Sequence, residues 1–282
     1  MITCIPDRDI ERFIEEDLPY GDLTTHLLGI GESSGQIIFS TREYTTLCCT
    51  EEATRVLQKC GATVTSCLPS GIKLAPGIEF LTAQGNARSL HAGWKVALNL
   101  LEYASGIASR TQRIVEKTRA VNPALSVVTT RKAFPGTKQV SIKAILAGGA
   151  LPHRLGLSET ILVFKQHTAF LGGLEAFLGT ISELRSKARE TKIIVEADTG
   201  AEALLVALSG ADIVQLDKLA PAELADTVRA LRKANPNLLI SAAGGINESN
   251  AAEYAATGID IIVLSSVYFG KPADIGVIIK PV

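Results

Sequence analysis

Between Thr129 and His167 the chain gathers Arg131, Lys132, His153, Arg154, Lys165 and His167. Arg131 and Lys132 stand directly after an apolar run, Leu125–Thr130, and Lys165 and His167 follow a second one, Ile161–Phe164. His153 and Arg154 come after a small-residue turn, Gly148-Gly149-Ala150. Guanidinium forks and ammonium point charges collected at strand ends are suited to holding an anion, either carboxylate or phosphate. Acidic residues follow the same rule. Glu196 lies within the run Lys192–Ala197, with Asp198 just past it, and Asp217 and Lys218 follow Ala211–Leu216. Gly244-Gly245 follows Leu238–Ala243, and Ser265 and Ser266 follow Gly258–Leu264.

Helical segments lie between the later runs, at Leu174–Glu190, Ala201–Ser209, Pro221–Ala234 and Glu248–Ala256. Short apolar runs alternating with helices imply parallel strands with crossover helices, buried on both faces. About six such units are too few for a complete eight-unit barrel, so the pattern predicts an incomplete, open α/β barrel, with a doubly wound sheet as the alternative. In either architecture the residues just after each strand share one mouth. Any one of these residues could be a structural ion pair, but the set is coherent. Glu196 and Asp217 on consecutive strands suit Mg²⁺ shared with ligand oxygens, sugar hydroxyls, or a developing positive charge. Gly244-Gly245 ahead of a helix offers backbone N–H groups to a phosphate, and Ser265 can complete that cradle. A metal, a phosphosugar and a carboxylic acid in one mouth point to glycosyl transfer from an activated ribose. Two alternatives remain open at this point. One is aldolase-type Schiff-base chemistry on Lys132 or Lys165; the other is a non-catalytic anion or nucleotide binder.

The earlier part of the chain reads differently. A short helix over residues 8–18 ends at Pro19 and Gly21, and residues 35–82 read as short strands with one helix, an α+β module with a mostly antiparallel sheet. The longest helical pattern runs from Gly93 to Val121, interrupted at Ser105-Gly106, with Trp94 and Lys95 near its start. With 282 residues and 46% hydrophobic content there is material for a large core. A net charge of −1 argues against a nucleic-acid surface, and 5% aromatic content argues against a base-stacking platform. No secretory signal and no membrane-spanning run are expected. The cysteines, Cys4, Cys48, Cys49, Cys60 and Cys67, are odd in number and form no CxxC pair, which fits small core residues in a reduced cytoplasm.

Several stretches carry a resemblance: EDLPYGDLTT, ALNLLEYASGIAS, TRKAFPG, PHRLGLSET, IIVEADTGAEA, GADIVQLDKL, AAGGIN and YAATGIDII. In this order and nearly end to end, the chain resembles the quinolinate phosphoribosyltransferase (nicotinate-nucleotide pyrophosphorylase, carboxylating) family. It is most similar to that family's ModD branch, associated with molybdenum-transport genes. The resemblance implies a type II phosphoribosyltransferase fold: an α/β sandwich over residues 1–106, with 269–282 packing back on it, and an open α/β barrel over 107–268. It implies phosphoribosyl pyrophosphate as co-substrate, Mg²⁺, and a homodimer in which one subunit's sandwich covers the other's barrel mouth. Arg131, His153 and Arg154 match carboxylate-binding positions and Lys132 a lysine at the ribosyl-donor site. Glu196 and Asp217 match the acidic pair beside donor and metal, Gly244 and Gly245 the phosphate loop. Lys95 falls where the family carries an arginine donated across the dimer. The chain departs from the pattern at Thr130, where the family has the acid before Arg-Lys, and at Ala243, where it has the serine of a Ser-Gly-Gly loop. Phe164 stands at the place of a lysine when His167 is aligned with the family's histidine, and Lys165 is displaced by one residue. The donor half is thus retained and the dicarboxylate half edited.

Overall fold

The strand Ser34–Thr41 alternates buried and half-buried positions, turning Ile37 and Phe39 inward with no exposed surface. A period of two on one buried face fixes pairing register. Phe39 sits opposite Val277 on one side and Leu81 on the other. The resulting antiparallel sheet has the order Ile275–Pro281, Ser34–Thr41, Glu79–Asn86, Thr63–Cys67. The structure, a computed structural model, describes residues 4–282. It divides into two units: residues through Gln112 with Phe134–Gly149 and Val267–Val282, and Arg113–Ala133 with Ala150–Ser266.

In the first unit the sheet shares its core with the helix Thr50–Lys59, through Ala53, Val56 and Leu57, and with the long helix Ala87–Val121, through Leu90, Ala97, Leu101 and Ala104. The long helix begins six residues before the expected Gly93. Its start signal is Asn86, whose Oδ1 accepts from the N–H of Ser89 at 2.9 Å, an N-cap contact. Ser105-Gly106 does not break it. A Cβ at Gly106 would lie 3.0 Å from the Ala273 nitrogen and 3.1 Å from the Pro272 Cα, so the glycine permits close backbone approach.

The helix Lys138–Ala147 carries a charge into this core. Lys143 is 3% exposed; its Nζ lies 2.8 Å from Glu51 Oε2 and 2.5 Å from Glu52 Oε2, and Glu52 is equally enclosed. Burial acts to raise the Glu51 pKa, but hydrogen bonds from Lys143 and Ser70 outweigh it and bring it to about 2. Burial acts to lower the Lys143 pKa, and the two carboxylates more than reverse that.

The second unit is built on seven strands, all parallel. Their order is Leu151–Pro152, Ser126–Thr129, Ile261–Leu264, Leu239–Ala243, Ile213–Asp217, Ile193–Ala197, Ile161–Val163. The sequence order runs around this sheet without the mid-sheet reversal of a doubly wound fold, and the two end strands do not pair. It is the open barrel. Six strands coincide with the apolar runs; the seventh, Leu151–Pro152, directly follows the expected Gly148-Gly149-Ala150 turn and is too short for its periodicity to show. Pro221 occupies the first turn of Pro221–Ala234. At the N-terminal strand ends acids are paired. Asp212 accepts from the Ile193 N–H and from Arg185, both at 2.7 Å, and Asp260 does the same for Ile240 and Arg232.

Removing one partner of a buried ion pair strands the other. Lys143→Met is therefore expected to lower unfolding free energy by about 3–5 kcal/mol, and adding Glu52→Leu to restore most of the loss. Urea unfolding checks this; an equal loss in the single and double variants would show that the pair is not what matters. The Glu51 contribution is complete above the ordinary glutamate value of 4.5 and is lost as pH falls toward about 2.

Candidate active site

The C-terminal ends of the barrel strands enclose a cavity of about 720 Å³. Each wall comes from the last inward position of a strand and the residues after it. Thr130, Arg131 and Lys132 follow Ser126–Thr129, and His153 and Arg154 follow the neighbouring Leu151–Pro152. Glu196 projects from Ile193–Ala197, and Gln215, Asp217 and Lys218 from Ile213–Asp217 and its end. Gly244, Gly245 and Ser265 line the part between these groups, and Phe164 completes the wall beside Glu196.

The cationic wall is tied to the sheet by the His153 N–H, which donates to the Thr129 carbonyl at 2.9 Å. Burial, then the neighbouring Arg154 charge, lowers the His153 pKa, favouring a neutral imidazole. Burial and the Arg131 guanidinium also act against the charge on Arg154. Two cations facing one another in a partly buried place are relieved by an anion between them. On the acidic wall Gln215 Nε2 donates to Glu196 Oε2 at 2.9 Å, and Lys218 Nζ contacts Asp217 Oδ2 at 2.7 Å. The Glu196 pKa is raised, first by burial, with Asp217 and Asp198 adding repulsion against the Gln215 hydrogen bond. A positively charged neighbour would therefore stabilise the Glu196 carboxylate.

The glycine turn is required sterically. Gly244 and Gly245 have φ of +88° and +73°, and a Cβ at Gly244 would lie 2.5 Å from Lys218 Cγ and 2.7 Å from Asp217 Oδ1. Lys218 is itself left-handed at φ +61°, and its N–H reaches the Ala243 carbonyl at 2.8 Å. Turn and acid are thus packed as one piece.

Of the residues singled out from sequence, Lys132, Glu196, Asp217, Arg131, His153, Arg154, Phe164, Gly244, Gly245 and Ser265 line this cavity; Lys95 and His167 do not. Lys95 belongs to the first unit, its Nζ 5.2 Å from the Trp94 ring centroid. His167 supports the wall from behind. Its Nδ1 accepts from the Phe164 N–H at 3.0 Å, and its ring stacks on Phe164 with centroids 5.7 Å apart. Lys165 turns away to Asp198 at 2.6 Å, and that contact raises its pKa. Gln215 and Gln166 line the cavity without having been singled out. Gln215 was legible: it stands two residues before Asp217, on the same strand face. Among the described residues no group of three or more His, Cys, Asp or Glu is placed to hold a metal, and no helix is long and apolar enough to cross a membrane.

Known proteins show the same organisation. The family model for the quinolinate phosphoribosyl transferase C-terminal domain matches residues 107–277, and that for the N-terminal domain matches residues 22–105. A Rhodobacter capsulatus protein named "Putative pyrophosphorylase ModD" is 43% identical over 90% of this chain and 97% of its own. The nicotinate-nucleotide pyrophosphorylase [carboxylating] of Rattus norvegicus is 35% identical over 73% of this chain and 68% of its own. Among solved structures, the nicotinate-nucleotide pyrophosphorylase from Francisella tularensis superposes with a TM-score of 0.88 at 23% identity, covering 99% of both chains, which shows a shared fold.

The acidic wall yields a titration prediction. Asp217→Asn removes one of the charges that raise Glu196, so the Glu196 carboxyl should titrate at lower pH in the variant. Carboxyl-carbon NMR reads the midpoint directly; an unmoved midpoint would mean that the two acids do not sense each other.

Proposed function

The chain belongs to the quinolinate phosphoribosyl transferase family, and on that footing we propose that it transfers the phosphoribosyl group of phosphoribosyl pyrophosphate to an anionic aromatic or heteroaromatic acid. The observation that carries this reading is one cavity joining a cationic wall, an acidic pair and a glycine turn. A lone pair on the acceptor, on a ring nitrogen in the family reaction, forms the bond to the anomeric carbon. The bond from that carbon to the pyrophosphate oxygen breaks, and its electron pair leaves with pyrophosphate. Arg131, His153 and Arg154 hold the acceptor carboxylate. Lys132, the Gly244-Gly245 backbone and Ser265 hold phosphate oxygens. Glu196 and Asp217 face the positive charge that develops on the sugar. Catalysis is mainly electrostatic and positional. A pyridine dicarboxylate acceptor would then lose carbon dioxide, because its quaternised ring accepts the electron pair of the broken carbon–carbon bond.

Mg²⁺ fits the acidic wall, since Glu196 and Asp217 are hard oxygen donors and burial and neighbouring acids disfavour the Glu196 charge. Two carboxylates leave most of the coordination shell to phosphate oxygens and water, as Mg²⁺ prefers. Bound there, the ion would supply charge neutralisation for the pyrophosphate. The Schiff-base alternative loses ground at Lys165, because such chemistry needs a neutral amine and the ion pair with Asp198 favours the ammonium. Of the cysteines expected as core residues, Cys48 and Cys49 are buried, Cys60 is half-buried, and Cys4 and Cys67 are exposed. A link to molybdenum transport rests only on kinship with ModD-named proteins.

Pyrophosphate release, measured with phosphoribosyl pyrophosphate, Mg²⁺ and a panel of aromatic acids, tests the reaction; tight ligand binding with no release would instead favour a non-catalytic binder. Glu196→Gln and Asp217→Asn should each cut turnover roughly a hundredfold or more. Near-normal turnover in both would remove them from the mechanism. Phe164→Lys should strengthen quinolinate binding by roughly ten- to a hundredfold, the scale of one charge-assisted hydrogen bond, without changing donor affinity. A destabilised protein with no such gain would mean that Phe164 is packing alone. Lys95 is proposed to act in the mouth of a second subunit of a homodimer. Mixed Lys95→Ala and Arg131→Ala subunits should then recover activity, and an inactive hybrid with exchange confirmed rejects sharing.

A further inference from the structure

One polar group in the barrel cavity has no task in the reaction above. Gln215 is 4% exposed and lines the cavity. Its Nε2 donates to Glu196 Oε2. A carboxylate only accepts, so this contact fixes which end of the amide faces Glu196. The other end, Oε1, is buried without a hydrogen-bond partner. A buried, unsatisfied acceptor is costly, and in a ligand cavity it marks where a donor belongs.

Its depth says which ligand can supply that donor. Gln215 pairs in register with Glu196 and stands one inward position below Asp217, toward the N-terminal strand ends. Leu162, Ile194 and Ile213 form an apolar cluster in the same part of the barrel, with Phe164 and Ile261 packed against it. The phosphate-holding groups, Gly244, Gly245 and Ser265, follow their strands at the mouth. In a displacement at the anomeric carbon the nucleophile enters opposite the leaving group. Placing the pyrophosphate against those groups puts the acceptor ring deeper, between Phe164 and Gln215, with its carboxylate reaching back to Arg131 and Arg154 at the mouth.

We propose that Gln215 determines acceptor choice: its Oε1 accepts a hydrogen bond from an O–H or N–H group on the acceptor ring. The acceptor is then an aromatic acid with a carboxylate toward Arg131 and Arg154 and a hydrogen-bond donor toward the floor. A second carboxylate at that place would set two acceptors against each other, which disfavours a dicarboxylate. The assignment rests on the phosphoribosyl-transfer reading for the direction of the acceptor.

Calorimetric titration of the full chain, without phosphoribosyl pyrophosphate, compares nicotinate with its hydroxy and amino ring isomers. At least one donor-bearing isomer should bind about tenfold more tightly than nicotinate, and Gln215→Met should shrink that ratio to below about threefold. If Gln215 merely steadies Glu196, the variant weakens all acids alike and the ratio survives, which overturns the proposal. Wild-type protein that favours no isomer by more than about threefold overturns it too, even if the variant does not fold. The transfer reading fails by a different signal, the absence of pyrophosphate release with every acid, and leaves the calorimetric ratio standing.

Discussion

Parallel strands leave a sheet at one end, and that constraint governs the second unit. Because all seven barrel strands run the same way, residues as far apart in sequence as Arg131 and Ser265 emerge around one cavity. The two ends of the sheet treat charge in opposite ways. At the N-terminal ends Asp212 and Asp260 each meet an arginine and a backbone N–H. At the mouth like charges also face one another: Arg131 works against the charge on Arg154, and Asp217, although Lys218 meets it, against that on Glu196. The first arrangement is complete in itself; the second leaves repulsion of both signs in place, which suits the charged ligands proposed above.

The buried charge in the first unit shows what full internal compensation looks like. Lys143 is as enclosed as any core residue, yet two carboxylates restore what burial costs and leave its ammonium form favoured. Glu196 is half-buried with one amide hydrogen bond, and its raised pKa disfavours its charged form. The difference separates a structural ion cluster from a site held ready for a partner.

Much of this was legible in sequence where a strong period was present. Six barrel strands, the long helix stripe and the inward residues after each strand followed from apolar periodicity alone, and the family resemblance ordered them. The misses have physical reasons. Leu151–Pro152 is too short to show a period of two. Lys143 was not singled out, because a lysine on a helix carries no sign of its partners until Glu51 and Glu52 are seen beside it. Gln215 hides inside an apolar run, although counting back two from Asp217 locates it. His167 and Lys165 carry the right chemistry for the mouth but sit in the short helix Lys165–Thr168, where the strand period no longer applies.

The unclosed seam of the barrel has a further consequence, for solubility. An open sheet presents two edges to which a foreign strand could add, and unpaired edges are where β-aggregation begins. Here one edge, Leu151–Pro152, is two residues long and ends in an imino acid with no N–H to donate, and the other, Ile161–Val163, is three. Neither is long enough to template an added strand. The barrel can stay open without inviting polymerisation, because its edges stop before a ladder can start.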